Sequence, residues 1–274
     1  MLSGQLTLTF VVHQGRRQWR LIIIFSWPLA VPSRRFASHR MALAARAAQV
    51  PRSVRCHASS SSPSKVMKVL YCTGNAGKFR EASFVIDGWN ESHESSTVEY
   101  AQVDADPVEV QGTPEEIGAS KVVEATRLLR ERGAIPPDVD WVVTEDVGLH
   151  LRCLNGFPGP YCKPMLEAIG DAGLWDMMSR YEDRHALVTC NLAAVHVRDG
   201  GELDGTPELF VGEIEGAILG PPRGDVKHGK ASWNSVFTPA GHDKTFGELQ
   251  FHEQAMFSHR RRAILKFLEA KAPE

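Results

Sequence analysis

The stretch KVMKVLYCTGNAGKFREASFVI, residues 65–86, decides how the rest of the 274-residue chain is read. Lys65 to Cys72 is an apolar run that predicts a short strand. Thr73-Gly74-Asn75-Ala76-Gly77-Lys78 predicts a turn, and from Phe79 the apolar positions Phe79, Ala82, Phe84 and Val85 predict a helix. A strand that turns straight into a helix gathers backbone N–H groups and the positive end of the helix dipole in one concavity. That concavity suits phosphate, with Lys78 as a point charge. The run is not the GxxxxGK[ST] phosphate loop, and a Gly-containing turn of this kind also serves purely structural ends.

Further along the chain, Val98 to Val103 reads as a second strand. Thr113-Pro114-Glu115-Glu116 combines an N-cap, a proline at the first helical position and a capping-box acid, which starts a helix running to about Arg132. Its stripe of Val122, Ala125, Leu128 and Leu129 buries one face and leaves Lys121 and Glu124 beside it. Asp140 to Thr144 predicts a third, buried strand that delivers Glu145 and Asp146 to its carboxyl end, where open α/β sheets place their ligands. A Gly-Pro-rich loop follows, then two long alternating strands over 186–197 and 207–219, and a closing helix from about Ser258 with Ala263, Ile264, Phe267 and Leu268 inward. There are no internal repeats. The expectation is a single α/β domain over residues 66–274, with a mixed, elongated central sheet flanked by helices.

Charge is unevenly distributed. Residues 1–65 hold nine arginines and Lys65 but no acid, so the remainder carries 21 basic against 33 acidic residues, a net of −12. An acidic domain does not attract nucleic acid by its overall field, so any polyanion must be held by a local cluster or a cation. The Arg-, Ser- and Ala-rich leader, ending Val54-Arg55-Cys56-His57-Ala58-Ser59 before a serine run, predicts a disordered organelle transit peptide. Plastid is favoured over mitochondrion; a misassigned start codon, leaving a cytoplasmic protein, is the alternative. The apolar run Leu21 to Val31 is about half the length of a membrane span and contains Pro28, which argues against stable membrane insertion and leaves a secretory h-region as the alternative. Five widely spaced cysteines without a CxxC pair fit neither a disulfide framework nor a zinc site.

A triphosphate needs its charge neutralised, and the hard cation for that is Mg2+ held by carboxylates, with Glu109 and Asp146 as candidates. A carboxylate just beyond a buried strand is costly without a cation or donor, which favours a metal role for the Glu145-Asp146 pair over turn capping. Read alone, Glu109 fits a solvated loop acid and Lys121 and Lys163 fit surface positions. Ser258-His259-Arg260-Arg261-Arg262 joins a helix N-terminus, a histidine and guanidinium groups that could grip an anion or a base edge; read alone, it is an exposed basic helix face.

In this order the pieces resemble the inosine triphosphate pyrophosphatase family across residues 67–270. The matching runs are TGNAGK with Glu81 behind it, Glu109-Val-Gln-Gly112 leading into Pro114-Glu-Glu-Ile117, Thr144 to Leu149, Asn155-Gly-Phe-Pro-Gly-Pro-Tyr161, Phe210 to Gly216, Thr245 to Leu249, and Ser258-His-Arg260. The resemblance implies Mg2+-dependent hydrolysis, with Mn2+ as the alternative cation, of inosine, deoxyinosine or xanthosine triphosphate to monophosphate and pyrophosphate, which keeps deaminated purines out of nucleic acids. It implies an active-site cleft between two lobes and a homodimer. It assigns Thr73, Asn75, Lys78 and Lys163 to the phosphates, Gly74 and Lys121 to substrate binding, and Glu109 and Asp146 to the metal. Asp146, with Glu145 beside it, would activate the attacking water, and His259 and Arg260 would read the purine 6-oxo group.

Two departures fall at the base end. Where the family usually has Gly-Trp/Tyr-Asp-Pro, this chain has Ser232-Trp233-Asn234-Ser235, so a base-pocket carboxylate has become an amide while Trp233 can still stack. A family lysine before Ser-His-Arg aligns with Gln254. These departures motivate a second hypothesis, a weak or inactive nucleotide-binding or sensing protein of the same fold. A third is a relative acting on modified pyrimidine triphosphates.

Overall fold

The computed structural model describes residues 10–15, 18–23, 65–93, 95–224 and 232–273. The chain divides into two units, residues 1–58 and 59–274. In the first, β1 (Phe10–Gly15) pairs antiparallel with β2 (Gln18–Ile23). The rest of the expected leader, up to residue 64, lies outside the described residues. Among the described residues no helix is long and apolar enough to cross a membrane.

The second unit opens with β3 (Lys65–Cys72), the strand expected from the opening stretch. The following helix, α1 (Ala76–Ser92), begins earlier than periodicity predicts. The carboxamide oxygen of Asn75 accepts from the N–H groups of Gly77 and Lys78 at 2.9 and 3.1 Å, so the first turn starts inside the TGNAGK run. β4 (Ser96–Val103) runs parallel to β3. α2 (Pro114–Glu131) carries the expected capping box, with Thr113 and Glu116 closing on each other's backbone.

β5 (Trp141–Leu151) differs from expectation: instead of stopping at Thr144, it continues seven residues further. The cause is β7 (His185–Arg198), which pairs antiparallel with β5 along its whole length, from Trp141 opposite His196 to Leu151 opposite Ala186. The parallel partner β3 ends at Cys72 opposite Thr144. Glu145 is thus the first residue past the parallel register although it sits mid-strand.

A short β6 (Pro158–Gly159) leads into α3 (Cys162–Met178), a helix where only a Gly-Pro-rich loop was expected. Pro164, Gly170 and Gly173 disguise it, and Gly170, at φ 67°, interrupts it. β8 (Glu202–Leu203) pairs with β7, β9 (Glu208–Ile218) pairs antiparallel with β7, and β10 (Phe237–Pro239) pairs with β9. α4 (Phe251–Phe257) and α5 (His259–Lys271) complete the unit. The path through the mixed sheet is β10-β9-β7-β5-β3-β4.

Alternation along the strands builds two cores on opposite faces. Met67, Val69, Tyr71, Val143 and Leu192 meet α1 and α5, whereas Leu70, Cys72, Val142, Ala193 and Val195 meet α2. The far ends of β5, β7 and β9 carry a third core with α3, Trp233 and Phe246. The long strands therefore run through two lobes. α5 reaches β9 because Gly212 has no side chain: a Cβ there would lie 2.0 Å from the carbonyl oxygen of His259.

Candidate active site

Where β3 ends and the lobes meet, a cavity of about 440 Å³ opens, lined from TGNAGK at one end to Trp233, Asn234 and His259 at the other. Its phosphate-loop wall is tied down locally. Thr73 N–H donates to the Val103 carbonyl at 2.8 Å, Gln102 Nε2 donates to the Thr73 carbonyl at 2.8 Å, and Asn75 N–H donates to Thr73 Oγ1. Gly74 sits against Asp104, whose carboxylate oxygen would be 3.0 Å from an added Cβ. With Asn75's oxygen spent on the helix cap, this wall brings a cation through Lys78, which lines the cavity.

Adjacent residues on a strand face opposite sides, so Glu145 and Asp146 do different work. Glu145 points to the α1 and α5 side and is 3% exposed. It accepts from Arg260 Nε at 2.7 Å and Nη2 at 2.9 Å and from the Tyr71 hydroxyl at 2.5 Å, and it pairs with Lys78 Nζ at 3.0 Å. Burial would raise its pKa, but Arg260, Lys78 and Tyr71 override that and hold the carboxyl well below its ordinary value. Arg260 also donates to Glu81, which accepts from Ser258 Oγ as well. This is a bidentate, buried arginine–carboxylate arrangement with its lone pairs satisfied.

Asp146 points to the α2 side. Lys121 Nζ lies 3.5 Å from Asp146 Oδ1 and 3.4 Å from Glu109 Oε1, and Lys163 Nζ lies 3.9 Å from Glu109 Oε2. Burial pushes the Asp146 carboxyl up, opposed by Lys121 and Lys78 and reinforced by Glu109. Glu109 is lowered: burial works against the shift, and Lys121 and Lys163 outweigh it. Thr144, on the same face as Asp146, keeps a buried hydroxyl with no hydrogen-bond partner among the described residues. Cys162 also lines this side, and burial pushes its thiol up to about 12, so it is no thiolate nucleophile at neutral pH.

At the other end, Trp233 packs at 5.4 Å from Phe237, 5.4 Å from Phe246 and 5.5 Å from His259. Gln254 does not extend a donor to the cavity: its Nε2 donates to the carbonyls of Phe246 and Leu249. His259 and Arg260 are 3% and 6% exposed, so the closing helix begins inside the site and not as an exposed basic face.

A sequence profile of the Ham1 family matches residues 69–270. This chain belongs to the Ham1 family. Among its relatives, the inosine triphosphate pyrophosphatase of Yarrowia lipolytica is 34% identical over 211 residues, covering 76% of this chain and 99% of the relative. The dITP/XTP pyrophosphatase of Methanopyrus kandleri is 34% identical over 203 residues, covering 74% and 95%. The Staphylococcus aureus Ham1 protein shares the fold, with a TM-score of 0.54 at 23% identity over 74% of this chain and 98% of that one.

In this Ham1-family chain, the cavity brings together nearly every residue singled out from sequence: Thr73, Gly74, Asn75, Lys78, Glu109, Lys121, Glu145, Asp146, Lys163, Trp233, Asn234, Gln254, His259 and Arg260 all line it. Their engagement differs from expectation at two of them. Gln254 closes a local turn, and the Arg260 guanidinium is held by Glu145 and Glu81. Tyr71, Asp104 and Thr144 were not singled out. Tyr71 reads as one more apolar strand position, and only alternation with Val69 and Met67 hints that its hydroxyl would share a face with Glu145.

Proposed function

We propose that this Ham1-family protein hydrolyses deaminated purine nucleoside triphosphates, those of inosine, deoxyinosine and xanthosine, to monophosphate and pyrophosphate. The observation that carries the reading is the cluster of Lys78, Lys121, Lys163, Glu109 and Asp146 in one cavity whose opposite end is aromatic. The ammonium groups attract and align the triphosphate, and Trp233 offers a ring beside the base. The names of the relatives support the same activity.

The carboxylate pair fits a hard divalent cation. Lys121 Nζ bridges Glu109 and Asp146 at 3.4 and 3.5 Å, where two oxygen donors face one positive charge. Glu109 and Asp146 would hold Mg2+, or Mn2+ in its place, and the cation would supply charge neutralisation to the phosphate oxygens. Asp146, whose carboxylate lies in the cavity beside Lys121, would take the proton of the attacking water as the anhydride bond to pyrophosphate breaks. Glu145 keeps Lys78 aimed at the phosphates while Arg260 and Tyr71 keep Glu145 in place. The family resemblance also implies a homodimer, which sedimentation equilibrium tests.

Incubation with inosine triphosphate and Mg2+ is expected to release pyrophosphate. Release of orthophosphate alone, or full activity in Asp146→Asn, refutes the proposal.

A further inference from the structure

Lys121 projects from α2 with its side chain 15% exposed, and its ammonium stands between two carboxylates, 3.4 Å from Glu109 Oε1 and 3.5 Å from Asp146 Oδ1. Charge-assisted N–H···O contacts are about 2.7–2.9 Å long, so each oxygen holds this ammonium by its charge more than by a directed hydrogen bond. The other two lysines of the cavity are placed differently. Lys78 pairs with Glu145 at 3.0 Å, and the exposed Lys163 approaches Glu109 alone, at 3.9 Å. Among the described residues Lys121 is therefore the one cation paired with both carboxylates. The two carboxylates also differ in freedom. Asp146 sits within β5, opposite Asn191 of β7. Glu109 rides on a loosely tied loop, because residues 106–112 make no backbone–backbone hydrogen bond with another described residue.

We infer that Lys121 is the resident counter-ion of the Glu109–Asp146 pair, which keeps a bare divalent cation out and yields the pair when the phosphates of a nucleotide take its ammonium. The inference rests on the metal role proposed above for the two carboxylates. Mg2+ takes oxygen ligands at about 2.0–2.1 Å, and a cation that close to either oxygen meets the ammonium as a like charge. The lysine stem is flexible, so the ammonium can swing aside while α2 stays in place. Phosphate oxygens give the ammonium a new partner and also complete the oxygen set of a cation that two carboxylates alone leave largely to water. Metal and nucleotide therefore bind with positive coupling, each raising the affinity for the other by the same factor. The protein takes its cation with the nucleotide and not before it.

The test is Mn2+ binding to the full chain without nucleotide, read from the electron paramagnetic resonance of the unbound ion. Lys121→Met keeps the stem and the helix propensity and removes the charge, and is expected to bind Mn2+ about tenfold tighter than the wild type. Lys163→Met removes an equal charge that reaches Glu109 alone, and is expected to move the affinity by less than about threefold. With saturating α,β-methylene inosine triphosphate, in which the α–β linkage is not an anhydride, the wild type and Lys121→Met are expected to bind Mn2+ within about twofold of each other. Should Lys121→Met not fold, Lys121→Gln removes the same charge and is read in the same way. Binding in the Lys121 variant that is no tighter than in the wild type, or an equal gain in Lys163→Met, overturns the inference. Asp146→Asn in the Lys121→Met background separates the two readings. If it weakens Mn2+ binding, the metal role stands whatever the fate of Lys121; if it leaves the affinity unchanged, the cation is held elsewhere and both readings fall.

Discussion

Replacing Arg260 by Met keeps an unbranched apolar stem in the same space and removes the guanidinium. Two carboxylates then lose the guanidinium: Glu145, which Arg260 binds through Nε and Nη2 at 2.7 and 2.9 Å and which keeps only the Lys78 cation at 3.0 Å, and Glu81, bound through Nη1. With Glu145's side chain 1% exposed and Glu81's 12%, neither can recover solvation in place. Breaking a buried ion pair from one side costs about 3–5 kcal/mol. At about 2–4 °C per kcal/mol for a domain of this size, Tm falls by roughly 6–20 °C. Calorimetry in a chelator at neutral pH measures it. The pH dependence supplies a second signature. Glu145 is depressed below its ordinary 4.5, so its stabilising contribution is complete above that value and lost as pH falls through the lower folded value. Once protonated, Glu145 no longer needs Arg260, so the gap between wild type and variant narrows as pH falls below the ordinary 4.5. In Arg260→Met/Glu145→Gln, part of the lost stability returns, because one uncompensated buried charge has gone. A fall in Tm under about 2 °C, or a gap that does not change with pH, refutes the reasoning.

Asp146→Asn is expected to lower kcat by about 10²–10⁴-fold while Tm in chelator stays level or rises, since burial already disfavours its charged form; steady-state kinetics and calorimetry check both. Glu109→Gln raises the Mg2+ concentration needed for half-maximal activity by at least about tenfold with little change in Tm, because its side chain is 53% exposed; a metal titration of activity reads this. Gln254→Ala strands two backbone carbonyls, those of Phe246 and Leu249, and lowers stability by about 1–3 kcal/mol in urea unfolding.

Features written locally in the chain were legible. The Thr113 capping box, the β3 strand and the inward face of Ala263, Ile264, Phe267 and Leu268 each depend on neighbours within a few positions, and each appears as expected. Features set by distant partners were not. Thr144 looked like the end of a strand because nothing near it reveals that β7 pairs on to Leu151. α3 was concealed by Pro164, Gly170 and Gly173, residues of low helix propensity that packing of Leu166, Leu174 and Met178 into the third core overrides. The site shows the same division. Its residues were recognisable by type and order, but the pairing of Arg260 with Glu81 spans 179 positions and no spacing rule announces it.

That separation bears on how the protein comes to exist in a cell. Tyr71 and Lys78 are made early and Arg260 late, yet all three meet at Glu145. A nascent chain that has completed β5 has Lys78 and Tyr71 for Glu145 but not the guanidinium, so the bidentate pairing forms only once α5 docks. A chain that stops short of residue 260 therefore lacks the one group that joins Glu81 to Glu145 among the described residues.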